Sequence, residues 1–308
     1  MRGHFISHLA ALAERDARVI LLTADLGYMA VEPFADRHPD RFFNTGVAEQ
    51  NMVGLATGLA EAGFIPFVYS IAPFATLRPY EFIRNGPILH RLPVRIVGVG
   101  GGMEYATNGL THYALEDVGA LRIQPSLTVV VPADHQQAVT ALDATWNLPG
   151  PIYYRLGKDD KRVVPGLNGR FARGQAERVR DGHDLLLVSM GAISSEAVAA
   201  AELLSRQGVE ASVMVVASLN PAPVNDLAEA LSRFSAVLTV EEHYRDGGVG
   251  SLVAEVIAER GIRCRLRRCA VDATPDRVTG SHRYMLQASG LCGDQVAAAA
   301  QAMLRIPA

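Results

Sequence analysis

The stretch Phe43–Ile71, FNTGVAEQNMVGLATGLAEAGFIPFVYSI, changes its period once, and that change decides the fold. Residues 47–61 carry small or apolar side chains on nearly every helical position, which predicts a buried helix. Residues 65–71 form a short β-branched and aromatic run, which predicts a buried strand. Pro66 sits at the entry of that strand, where a missing N–H does least harm. Outward from this stretch the same strand signal recurs in VILLTAD (19–25), PVRIVGV (93–99) and LTVVVPA (127–133). Helical stretches at 78–90 and 133–146 lie between these runs. The alternation predicts an α/β domain, with a parallel sheet covered by helices.

Residues 157–182, GKDDKRVVPGLNGRFARGQAERVRDG, break that rhythm. They are charged and Gly-rich, so they read as a linker. A second alternation follows: strands DLLLVSM, ASVMVVA and AVLTVEE, with helices SSEAVAAAELLSRQG, VNDLAEALSRF and GVGSLVAEVIAERG between and after them. The expected organisation is a first domain over 1–165 and a smaller α/β domain over 175–308. Two domains also suit a chain of 308 residues.

A net charge of −3 argues against nucleic acid or an anionic membrane as partner. The N-terminal stretch places Phe5, Leu9 and Leu12 on one face of an amphipathic helix, not a signal peptide. No apolar run approaches the ~18 residues of a membrane span. A cytoplasmic protein is expected. Cys264, Cys269 and Cys292 form no CxxC pair and read as free thiols.

The motif search first removes alternatives. GVGGGMEYATNG follows a strand but does not satisfy G-x-G-x-x-G, and no G-x-x-x-x-G-K-[ST] or G-x-S-x-G motif occurs. Three residues then stand out. Glu49 opens the apolar helix. An acid there can serve the helix dipole, or it can be a shielded carboxyl that handles a proton. His112, in NGLTHYALEDVGALR, follows a Gly-rich loop at the C-terminal side of a strand, where ligands bind in open α/β sheets. Arg155, in PIYYRLGK, is either a surface charge or a fork for an oxyanion.

Taken in order, ADLG, RFFNTGVAEQNMVGLATGLAEAG, PFVYSIAPFATLRPYEFIRN, GGGMEYATNGLTHYALEDVGALR, SLTVVVPAD, GPIYYRLGK and VEEHYRDGGVGSLVAEV resemble the C-terminal half of a transketolase. The likeness is strongest to the small subunit of split enzymes, and it covers almost the whole chain. It implies a thiamine-diphosphate pyrimidine-binding domain followed by a transketolase C-terminal domain. The family's diphosphate-binding G-D-G motif is absent, so the resemblance implies a partner. That partner is a large subunit holding the diphosphate and Mg²⁺, in a heterotetramer with two copies of each chain.

The resemblance also implies roles. Glu49 hydrogen-bonds the pyrimidine nitrogen, so that the imino form of the cofactor can take the thiazolium proton. Phe74 stacks on the pyrimidine, Ile71 replaces a second aromatic, and Asp25 lies near the cofactor. His112 faces the reacting centre and stabilises an alkoxide or relays a proton. Arg155 and Arg2 bind phosphate, and Asn108 meets the substrate. Gly100, Asn108 and Met29 stand where relatives carry a sugar-contacting histidine, a hydroxyl-reading aspartate and a phosphate-binding serine. These departures leave open whether the substrate is a sugar or a sugar phosphate. The expected reaction moves a two-carbon ketol unit from a ketose to an aldehyde. The rivals are the β subunit of a 2-oxo-acid dehydrogenase, a synthase that condenses pyruvate with a triose phosphate, and a non-catalytic stabilising subunit.

Overall fold

The computed structural model describes residues 1–275 and 279–305; residues 276–278 and 306–308, all within the expected second domain, lie outside that description. The first domain runs α1 (Arg2–Arg15), β1 (Val19–Thr23), α2 (Glu32–Ala35), β2 (Phe42–Asn44), α3 (Glu49–Glu61), β3 (Ile65–Ile71), α4 (Ala72–Thr76), α5 (Tyr80–Ile83), β4 (Arg95–Val99), α6 (Asp117–Arg122), β5 (Thr128–Val130), α7 (His135–Thr145) and β6 (Ile152–Leu156). The second continues with β7 (Glu177–Arg180), β8 (Leu185–Ser189), α8 (Ser194–Ser205), β9 (Ala211–Val215), β10 (Ser218–Asn220), α9 (Val224–Leu231), β11 (Ala236–Tyr244), α10 (Val249–Arg260), β12 (Arg265–Val271), α11 (His282–Ala288) and α12 (Gly293–Leu304).

The first sheet has the order β10-β5-β6-β4-β3-β1-β2, and all its pairs are parallel except β10–β5. β3 shows why apolar runs were needed. Successive side chains alternate across a sheet. Phe67 and Tyr69 enter a core with α1 and α7, whereas Val68 enters the opposite core with α3. Both faces are covered, so both sets of positions are mainly apolar, with Ser70 the polar exception within β3.

The second sheet has the order β12-β11-β8-β9-β7, with β7 antiparallel at one edge. β7 falls inside the segment expected to be a linker, which corrects that expectation for residues 177–180. Its sequence, ERVR, is polar because an edge strand needs little burial. β12 also escaped the sequence reading, for the same reason: it is arginine-rich and lies at the other edge. The expected helix over 78–90 is instead α5 followed by a wider π turn at 84–88, which accommodates Pro87. The helix expected to be apolar and buried all round, α3, buries only one face in this chain: Met52, Val53, Ala56 and Ala60 are covered, while Gly54, Leu55 and Gly58 are exposed.

The two domains share structure. β10 belongs in sequence to the second domain but completes the first sheet. One apolar core also runs from Met52, Val68 and Ile96 through Val131 to Leu186, Val188 and Val237. The chain at 241–248 docks back onto the first domain. Tyr244 N–H donates to Leu115 O at 2.7 Å, and Arg122 Nε donates to Gly247 O at 2.7 Å. Buried Glu241 accepts from the N–H groups of Val249 and Gly250, which satisfies the start of α10. Gly248 leaves room for it, since a Cβ there would lie 1.9 Å from Glu241 Oε2.

Arg95 fixes the far end of the sheet. It is fully buried and donates to the carbonyls of Trp146, Leu148 and Gly150 at 2.7, 2.5 and 2.5 Å. Burial lowers its pKa to about 10, so it stays charged near neutral pH. Arg95→Leu leaves three carbonyls without that donor. It should lower stability by about 3 kcal/mol, read as a shift in the denaturant midpoint.

Candidate active site

The candidate residues gather at the carboxyl ends of the parallel strands. The chain leaves β1 toward β2 on one side and returns as β3 on the other, so the β1/β3 boundary is a topological switch point. Crevices at such points are where α/β sheets bind ligands. Asp25 follows β1 at φ 55 and is exposed; its N–H and side chain exchange bonds with Asn44 at 3.0 Å each. Ile71 ends β3, and Phe74 stands in α4 directly after it.

Glu49 is the first residue of α3 and is only 3% exposed. Its Oε1 accepts from Arg78 Nη1 at 2.9 Å. Arg78 lies over Phe74, with Cζ 3.8 Å from the ring centroid. The other side of the row is His112, whose ring meets Phe74 edge-on at 5.1 Å. Thr111 Oγ1 is 3.0 Å from His112 Nδ1 and fixes the ring. Desolvation, followed by the Arg78 charge, pulls the His112 pKa below its usual value. The imidazole is therefore neutral near pH 7 and free to take a proton or share one.

Beyond His112 lies Tyr105, with ring centroids 6.1 Å apart. Lys158 Nζ stands 4.2 Å over the Tyr105 ring. Arg2 is close enough for its charge to act on Tyr69, Tyr105 and Lys158. Sequence reasoning missed Arg78, Tyr105 and Lys158. Their partners are separated in the chain, and no local pattern marks them. Asn108 is exposed, in the turn that leads to His112. Met29 is exposed at φ 61, and its N–H bonds Glu32.

Arg155 is the correction. The phosphate fork expected there points inward, and the residue is 5% exposed. Its Nε donates to Asp117 Oδ2 at 2.9 Å, and its Nη2 donates to Ala114 O and Glu242 O at 2.7 and 3.0 Å. Asp117 is fully buried and also accepts from Tyr153 at 2.5 Å. This arginine clamps β6, α6 and the second domain together.

Residues 1–162 match the family model "Transketolase, pyrimidine binding domain", and residues 174–296 match "Transketolase, C-terminal domain". The chain belongs to the transketolase family. A putative transketolase C-terminal section of Methanocaldococcus jannaschii is 33% identical, over 96% of this chain and 94% of its own length. One of the subunits of an apulose-4-phosphate transketolase from Actinobacillus succinogenes is 32% identical, over 86% of each. A 6-deoxy-6-sulfo-D-fructose transketolase subunit of Clostridium sp. is 33% identical, over 97% and 93%. A solved split-gene transketolase, described as an inactive β4 tetramer, superposes with a TM-score of 0.87 at 34% identity, over 98% of this chain and 97% of that one. Against single-chain relatives such as the 1-deoxy-D-xylulose-5-phosphate synthase of Syntrophotalea carbinolica, 33% identical, the chain spans 47% of their length. It thus corresponds to a part of the longer family members.

Two measurements separate the roles of the arginines. Arg155→Met should act as a folding lesion, costing about 3–5 kcal/mol because it strands Asp117 in the interior. Arg78→Met should destabilise less than Arg155→Met, because Arg78 is itself partly exposed and water can reach the vacated position, and it should move the His112 titration, followed by NMR, partway back up toward the value of a free imidazole. Only part of the shift returns, because desolvation is the larger cause.

Proposed function

We propose that this chain is the small subunit of a two-subunit transketolase-like transferase. Its partner contributes the diphosphate- and Mg²⁺-binding domain, in an assembly with two copies of each chain. The observation that carries the reading is the row Glu49–Arg78–Phe74–His112. There, a planar nitrogen-bearing group already lies over Phe74 and bonds to a shielded carboxyl. An aminopyrimidine makes the same two demands, so the residues fit the pyrimidine end of thiamine diphosphate once Arg78 swings aside. Arg78 is partly exposed and has room to do so.

When bound, thiamine diphosphate supplies the carbon nucleophile that carries the two-carbon unit. This chain's residues do the rest. Glu49 holds a proton at the ring nitrogen, and Phe74 and Ile71 orient the ring. Neutral His112 takes or returns a proton at a substrate hydroxyl. Asp25 and Asn108 stand at the rim for the sugar.

Support for a partner comes from the surface. Tyr28, Met29 and Val47 are 84%, 80% and 73% exposed, close in sequence to Asp25 and Glu49. With the open face of α3, they leave exposed apolar side chains on elements that carry the site, as expected where another chain seats. The subunit names of the apulose-phosphate and sulfofructose relatives, and the inactivity of the β4 structure, agree with this reading.

Glu49→Gln tests it. Mixed with the large subunit, this variant should assemble normally but lose at least ~100-fold in ketol transfer, with parallel loss of proton exchange at the cofactor's reactive carbon. Undiminished exchange would leave only a stabilising role for the chain. The unpartnered chain should show no ketol transfer; full activity without a partner would sink the split-enzyme reading.

A further inference from the structure

We propose that Glu242 and His282, both in the second domain, are positioning residues for the reaction: together they hold the loop 102–114 and so set where His112 stands. The proposal rests on the transketolase reading above and adds to it residues outside the Glu49–His112 row.

Gly102 and Ala114 exchange two N–H to C=O bonds of 2.9 Å, which close the loop at its base. Tyr105, Asn108 and His112 all lie inside that closure. The loop belongs in sequence to the first domain, yet its inner side chains join the other one. Met103, Ala106 and Tyr113 are buried in the apolar cluster of Ile193, Met285 and Leu286 in the second domain. His112 is thus carried by a segment seated on the neighbouring domain.

Glu242 makes the polar part of that seat. It is 3% exposed; its Oε1 accepts from Met103 N–H at 2.5 Å and lies 2.9 Å from His282 Nε2. Its main-chain carbonyl accepts from Arg155 Nη2 at 3.0 Å, and the same nitrogen donates to Ala114 O at 2.7 Å. Glu242 therefore bears on both ends of the closure. Gly102 is required for this fit: it sits at φ +68, and a Cβ there would lie 2.4 Å from Glu242 Cδ. A buried carboxylate needs a cation or further donors. His282, at the start of α11, is the cation placed to serve it.

The charges that act on His282 are Glu242 on β11, Glu104 on the loop and Arg162 on the segment between the domains. Glu242 also acts on Arg155 and Tyr113. Burial works to lower the His282 pKa, but the charge and hydrogen bond of Glu242, with Glu104 behind them, leave it above that of a free imidazole. The charged pair thus contributes fully below the free-imidazole value and is lost as pH rises through the raised pKa of His282. The loop should loosen on the basic side.

Hydrogen exchange on the full chain reads the loop directly. Glu242→Ala should speed exchange across 103–114 by about tenfold or more while the strands of both sheets stay protected. Glu242→Gln keeps an acceptor for Met103 N–H and should restore part of that protection. It should also drop the His282 titration, followed by NMR, a reading that holds even where Glu242→Ala does not fold. With the large subunit, Glu242→Ala should lower kcat by about tenfold or more with KM little changed, since a displaced His112 costs rate rather than affinity. In the unaltered enzyme kcat should fall on the basic side, and His282→Gln, which donates a hydrogen bond but does not titrate, should remove that limb. Unchanged loop exchange in Glu242→Ala, exchange that rises equally in every strand, or an unmoved His282 titration in Glu242→Gln overturns the positioning role. A basic limb that survives in His282→Gln overturns the part given to His282. Loop exchange that follows both residues as described, in an assembled enzyme with no ketol transfer, keeps the positioning role and overturns the transketolase reading.

Discussion

The buried ion pair between Arg155 and Asp117 is the constraint on which the rest of the molecule depends. Two opposite charges persist in the interior when they are well paired and hydrogen-bonded. Here Tyr153 and Arg155 both donate to Asp117 Oδ2, Asp117 Oδ1 has no partner among the described residues, and the carbonyls of Ala114 and Glu242 accept from Arg155 Nη2. These residues belong to β6, the start of α6, the His112 loop and the second domain. The cluster therefore fixes where His112 stands relative to Phe74 without touching either. A residue of the type that binds phosphate has become a structural member.

The site is organised by a gradient of commitment. Glu49 and Phe74 are set into the scaffold, at a helix start and just after a strand. Arg78 and Lys158 are longer, partly exposed and held mainly by the faces of aromatic rings. Such contacts position a cation while leaving it able to exchange its partner. The fixed parts suit a cofactor that does not change, and the adjustable parts suit steps in which ligands come and go.

Most of the scaffold was legible in the sequence because parallel strands buried on both faces must be continuous apolar runs. VILLT, IPFVYSI and LLLVS could be little else. The edge strands were not legible, because β7 and β12 are half-covered and can be polar. Glu49, Phe74 and His112 could be picked out, since local context and a resemblance marked them. Arg155 could not be judged correctly, because nothing in PIYYRLGK says which way a guanidinium turns. Its direction is set by Asp117, 38 positions earlier in the chain. Tyr105 and Lys158 were invisible for a similar reason: a cation–π pair across 53 positions leaves no period to read.

The loan of β10 to the first sheet bears on how this protein can be taken apart. β5 is only three residues long, and its outer side is covered by a strand that arrives after β8 and β9 have formed a different sheet. A fragment ending near residue 165 would keep every group of the Glu49–His112 row, yet it would present bare N–H and C=O groups along β5. Such edges invite pairing with other molecules. The two family domains are thus separable as sequence but not as folding units, and a tailored minimal version of the site must carry its neighbour with it.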